Sequence, residues 1–234
     1  MSCILHIESS TTVCSVAVSE DSHIIFHKEE TEGPNHARLL APMVDEASHF
    51  ADSHAIPLDA VAVSEGPGSY TGLRIGVSVA KGLCYGRDIP LVSVPTLQTM
   101  CVWPLLYGPE LPDDAILCPM IDARRMEVYA ALYDRSLTAL RPVSPEIIEP
   151  GHYDEWLCLR PVWFFGNGMP KCREILSAHP NAHFIDDIAP LARYMAPLAE
   201  RKFLEGNFAD VAYFEPFYLK DFQPTTPRNL LAGN

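Results

Sequence analysis

A chain of 234 residues with 48% apolar side chains can bury the core of one large domain or two small ones, and it reads as a folded globular protein. Its formal charge of -13, from 30 acidic against 17 basic residues, opposes attraction to a phosphate backbone, so the chain alone is expected to bind nucleic acid poorly. Cys3, Cys14, Cys84, Cys101, Cys118, Cys158 and Cys172 form no C-x-x-C pair and read as reduced, mostly buried thiols of a cytoplasmic protein; without a basic, apolar leader or an apolar run of about 18 residues, neither a signal peptide nor a membrane span is expected.

Residues 3–7, 13–18 and 23–28 read as three strands joined by polar turns at 9–12 and 19–22, an antiparallel meander. Pro34 and Asn35 then signal a helix start, with Asn35 as the N-cap. Leu39, Leu40, Met43, Val44, Ala47, Phe50 and Ala51 repeat at helical spacing behind it.

The chain is organised around residues 59–85. The apolar run 60–63 suits a buried strand, and Gly66-Pro67-Gly68 swings the backbone out of it. Ser69 or Thr71, on either side of Tyr70, can cap the helix that follows. On that helix Arg74, Ser78 and Lys81 form a polar seam at i, i+4 and i+7, whereas Gly72, Gly76 and Ala80 form a seam of small residues. Glycine inside a helix costs about 1 kcal/mol relative to alanine, so two on one line imply that another backbone packs close. The glycine turn itself can be a phosphate cradle or a plain strand-to-helix connection. Neither G-x-x-x-x-G-K-[ST] nor G-x-G-x-x-G is present.

A short strand at 90–94 gives the order βββαβαβ, and a helix is expected at 96–105. The proline-rich segment 108–114 is the best linker, dividing a first lobe, 1–109, from a smaller one, 110–187. Strands at 116–121, 128–133, 137–143 and 163–165, the turn Gly166-Asn167-Gly168 and a helix at 171–178 begin the pattern again in reduced form. Residues 188–204 read as a helix kinked by Pro197. The C-terminal segment 205–234 ends in a tail, after Asp221, that looks flexible. Ser69 is no hydrolase nucleophile, because Gly68-Ser69-Tyr70 is not G-x-S-x-G and no histidine and acid follow in pattern.

The run from Gly66 to Leu83, G-P-G-S-Y-T-G-L-R-I-G-V-S-V-A-K-G-L, resembles the signature of the TsaB (YeaZ) family almost letter for letter. Ile7-Glu8-Ser9-Ser10 is similar to that family's I-[DE]-T-[SA], and Met120 to Tyr129 to its M-I-D-A-R-R-x-E-V-Y. Pro216-Phe217-Tyr218-Leu219-Lys220 is similar to its P-x-Y-L-R, with lysine for arginine.

The resemblance implies an α/β protein of two RNase H-like lobes of the actin/hexokinase/Hsp70 (ASKHA) superfamily, with 188–204 returning to the first lobe. It implies a noncatalytic subunit in making threonylcarbamoyladenosine at adenosine 37 of tRNA. Its partner is a TsaD-like catalytic subunit, with a TsaE-like ATPase joining through the complex, tRNA met only indirectly, and a homodimer when alone. ATP and magnesium are then used by the complex, with no cofactor or metal held firmly by this chain. The implied partner surface comprises His36, Leu39, Leu40, Met43, Val44 and Ala47 on one helix and Gly72, Arg74, Gly76, Ser78, Ala80 and Lys81 on the other. Superfamily ATPases hold magnesium through an acid at the first strand-turn, where Glu8 stands beside Ser9 and Ser10, and a second acid opens the second lobe, where Asp122 stands. A vestigial nucleotide site there, working as a phosphotransferase, is the alternative; hydrogen bonds within the turn are the plainer reading. A glycoprotease-like metal site would need H-x-x-x-H after the G-P-G helix, but residues 94–100 contain no histidine.

Overall fold

In the computed structural model, which describes residues 2–31, 33 and 35–219, period-2 alternation in the first strand sets the layers. In β1 (Cys3–Glu8), Cys3, Leu5 and Ile7 point into one core and Ile4 into another. β2 (Cys14–Glu20) and β3 (His23–Glu30) complete an antiparallel meander. α1 (His36–Ser53) leads to β4 (Ala60–Gly66), which pairs parallel with β1 in the register Leu5↔Val61 and Ile7↔Val63. α2 (Tyr70–Arg87) crosses back to β5 (Leu91–Pro95), and the sheet order is β3-β2-β1-β4-β5. Asn35 precedes α1, but its side chain makes no cap bond; Pro34 lies outside the described residues.

α3 (Thr96–Leu106) carries no one-sided apolar stripe and is buried or half-buried as far as Leu105, as befits a helix packed between two sheets. Leu97, Met100 and Cys101 pack against Leu117, Ile121 and Phe165 of the second sheet, and Val102 packs with Ile4, Val92 and Val94 of the first. After the irregular segment 107–115, the second sheet is built from β6 (Ile116–Asp122), β7 (Glu127–Tyr133), β8 (Ala139–Ile147), β9 (Val162–Phe165) and β10 (Ala182–Ile185). Its order, β10-β9-β6-β7-β8, repeats the first sheet strand for strand. The reduction falls on the helices instead: α4 (Asp154–Leu157) is a single turn, and α5 (Met169–Leu176) about two. Neither α4 nor β10 is expected from the sequence, since four residues carry too little periodicity.

The single helix expected over 188–204 is corrected. Residues 188–191 are not helical, Ala192–Met195 form a 3₁₀ turn, and α6 spans Ala196–Leu204. Pro197 opens α6 rather than kinking it, because the first helical turn has no partner for the missing N–H. Tyr194, Met195, Leu198 and Ala199 pack on Ile4, Ala60 and Ala62, so this segment does return to the first sheet. Residues 209–217 then run back along α2: Ala209 bridges Leu91, Lys81 Nζ donates to the Ala212 carbonyl at 3.1 Å, and Phe217 N donates to the Glu65 carbonyl at 2.7 Å. The expected tail after Asp221 lies outside the described residues, among which no helix is long and apolar enough to cross a membrane.

Two glycines give opposite outcomes on substitution. At Gly166 (φ +100°) a Cβ would lie 2.3 Å from the Met120 carbonyl oxygen and 2.3 Å from Met100 Cε, whereas at Gly82 it would meet nothing within 4 Å. Urea unfolding of Gly166→Ala is expected to show a loss of about 2–4 kcal/mol, and Gly82→Ala a gain of about 0.5–1 kcal/mol.

Candidate functional site

The turn after β4 and the first turn of β1–β2 interlock. Ser69 caps α2, its side chain accepting from Gly72 N at 3.2 Å, and Ser69 N donates to the Ser10 carbonyl at 2.6 Å. Ser9 Oγ donates to the Gly72 carbonyl at 2.9 Å. A Cβ on Gly68 would fall 2.3 Å from Ser10 O, on Gly72 2.1 Å from Ser9 O, and on Gly76 2.2 Å from Ser9 Oγ. The expected close backbone is therefore the chain's own, and only glycine leaves room for it.

This corrects the residues assigned to a partner surface. Gly72, Gly76 and Ala80 are buried against β1, and Leu40 and Ala47 have no exposed surface. Met43 and Val44 are buried as well, because the α1 stripe that carries them packs on the first sheet, and His36 is buried at the start of α1. Lys81 is half-buried and engaged with Ala212. What stays open is the adjoining face. Leu39, Ile75, Val79 and Leu83 are half-buried, and Thr71, Arg74, Ser78 and Gly82 are exposed. Arg74 Nη1 donates to Tyr70 OH at 3.0 Å, and the Tyr70 ring lies 4.9 Å from that of Tyr218.

A cleft of about 1080 Å³ separates the two sheets at this end. Its walls include Thr11 and His36, the turn Pro67 to Tyr70, the β6–β7 turn from Asp122 to Arg125, and Tyr218. Arg124 and Arg125, which the sequence reading did not single out beyond the family motif, both adopt left-handed backbone (φ +70° and +51°).

The two carboxylates of the vestigial nucleotide site do not meet there. Glu8 is fully buried and shares with Ile4 and His6 the face of β1 turned away from α2. Its Oε1 accepts from Ser10 N at 2.6 Å and from Ser64 Oγ at 3.1 Å, and burial raises its pKa. Burial likewise lowers the pKa of His6, to about 3, beside Ser19 Oγ at 2.7 Å. Asp122 is exposed, but its Oδ1 accepts from Arg124 N at 2.9 Å and from the Lys171 ammonium. One acid is sealed in the core and the other is ion-paired, so the pair does not fit a shared magnesium ion. Lys171 stands 49 residues from Asp122, and no pattern in the sequence links the two. At the start of α3, where a metallopeptidase would place its histidines, Thr96 and Thr99 are buried instead, Thr99 Oγ1 donating to the Pro95 carbonyl at 3.2 Å.

Residues 27–221 match the family model described as TsaD, tRNA N6-adenosine threonylcarbamoyltransferase. The chain is 30% identical over 229 residues to the tRNA threonylcarbamoyladenosine biosynthesis protein TsaB of Escherichia coli, covering 93% of this chain and 94% of that one. It is 31% identical over 224 residues to the protein of the same name from Bacillus subtilis, covering 93% of each. A crystal structure of a Pseudomonas aeruginosa protein with similarity to peptidase YEAZ superposes with a TM-score of 0.79 at 24% identity, over 94% of this chain and all of that one. Both sheets follow the order βββαβαβ, and the fold is shared with that Pseudomonas aeruginosa structure.

A raised carboxyl pKa means that the unfolded chain releases this proton first, so Glu8 lowers stability as the pH climbs above the ordinary value of 4.5 toward its folded pKa. Glu8→Gln, which keeps the acceptor for Ser10 N, is expected to unfold at higher urea than wild type at pH 8 and to match it at pH 4. A less stable glutamine variant at pH 8 would mean that the buried group is held as an anion.

Proposed function

The chain belongs to the TsaB (YeaZ) family, and from that premise we propose that it is a noncatalytic subunit in the biosynthesis of threonylcarbamoyladenosine on tRNA, binding and supporting a TsaD-like catalytic partner. The observation that carries this reading is the open face of α1 and α2. Leu39, Ile75, Val79 and Leu83 are left half-covered beside the flat surface of Ser78 and Gly82. Completing the burial of each aliphatic side chain is worth about 1 kcal/mol, and small neighbours let a second helix approach. On this reading the partner supplies the basic surface for tRNA and the acidic chain complements it. A TsaE-like ATPase joins through the complex, where ATP and magnesium are used, and the same face pairs two copies when the partner is missing. The phosphotransferase alternative lacks support, since Glu8 and Asp122 are both engaged elsewhere.

Reconstitution of the modification from threonine, bicarbonate, ATP and tRNA with a TsaD-like partner is expected to fail when this chain is left out; undiminished product would contradict the supporting role. Ser78→Arg puts a charge on the open face without touching the core, so co-elution with the partner should weaken at least about 10-fold at an unchanged melting temperature. Leu40→Asp instead buries a charge in the lobe and should unfold it, at a cost above about 3 kcal/mol.

A further inference from the structure

Three oxygens of the β6–β7 turn converge on one ammonium group. Lys171 Nζ, from the first turn of α5, ion-pairs with Asp122 Oδ1 and donates to the Arg125 carbonyl at 2.7 Å and the Glu127 carbonyl at 2.6 Å. The three N–H bonds of a lysine match three acceptors, so its donor capacity is filled. The convergence has a backbone cause. Arg124 and Arg125 are successive left-handed residues, and the turn they form aims the Arg125 carbonyl to the same side as the Glu127 carbonyl and the Asp122 carboxylate. Like-signed oxygens this close repel unless a cation sits among them.

We propose that the Lys171 ammonium is the resident cation of this turn, a tethered group standing where Asp122 would otherwise bind magnesium. A hard oxygen cluster containing a carboxylate is the donor set that magnesium takes. Here a metal would have to displace a cation fixed to the same lobe, which competes at an effective concentration on the order of millimolar or above. The inference concerns Asp122 and α5 alone and holds whichever partner the chain binds.

The test is thermal unfolding of the full chain in choline chloride and in magnesium chloride at matched ionic strength. Wild type should melt at one temperature in both. Lys171→Ala should melt about 5 °C lower in choline and recover saturably with magnesium, while Lys171→Ala/Asp122→Asn should not recover. An unshifted Lys171→Ala variant, or a loss that magnesium does not restore, overturns the proposal. Should Lys171→Ala fail to fold, manganese binding to the wild-type chain, followed by electron paramagnetic resonance, decides. A bound signal abolished by Asp122→Asn overturns the proposal, and one indifferent to that change, or no bound signal, upholds it.

Discussion

The contact on which the rest of the structure turns is that of the Ser9–Ser10 backbone with the glycine edge of α2. Gly68, Gly72 and Gly76 let two serine residues lie where side chains would stand, and Ser69 N and Ser9 Oγ bond across the joint. Two glycines within a helix forfeit about 2 kcal/mol of helix propensity, which this packing offsets. The contact fixes the rotation of α2. Once Gly72, Gly76 and Ala80 face β1, helical geometry leaves Thr71, Arg74, Ser78 and Gly82 on the outside.

The same interlocking governs the carboxylates. Glu8, one residue before the Ser9–Ser10 turn, is drawn beneath it and accepts the Ser10 N–H, so it stabilises the turn rather than facing the cleft. Across the cleft Asp122 is bound up with Lys171 and the backbone of its own hairpin. Glu8 is thus sealed away from the cleft, whereas Asp122 presents to it a carboxylate paired with Lys171. The exposed face of α1 and α2 is the surface on which the proposed supporting role rests.

Strand alternation, the G-P-G turn and the spacing of small residues made the first sheet and both of its outer helices legible from the sequence. The seams on α2 were legible as seams, but not in their direction. Gly72-x-x-x-Gly76 reports that a backbone comes close, and nothing in the spacing tells whether it belongs to the same chain. The stripe from Leu40 to Ala47 has the same ambiguity, because a core face and a partner face share one period. β10 and α4 escaped because four residues hold one turn or two alternations, too few for a pattern. Lys171 escaped because its role exists only once α5 packs beside the β6–β7 hairpin.

The central claim, that the chain works through the outer face of α1 and α2, is tested most directly by hydrogen–deuterium exchange with and without the TsaD-like partner. The account predicts slowed exchange concentrated in His36–Ser53 and Tyr70–Arg87, with the strands of the second sheet unchanged. Protection confined to the second sheet, or no protection in a complex that demonstrably forms, would contradict it.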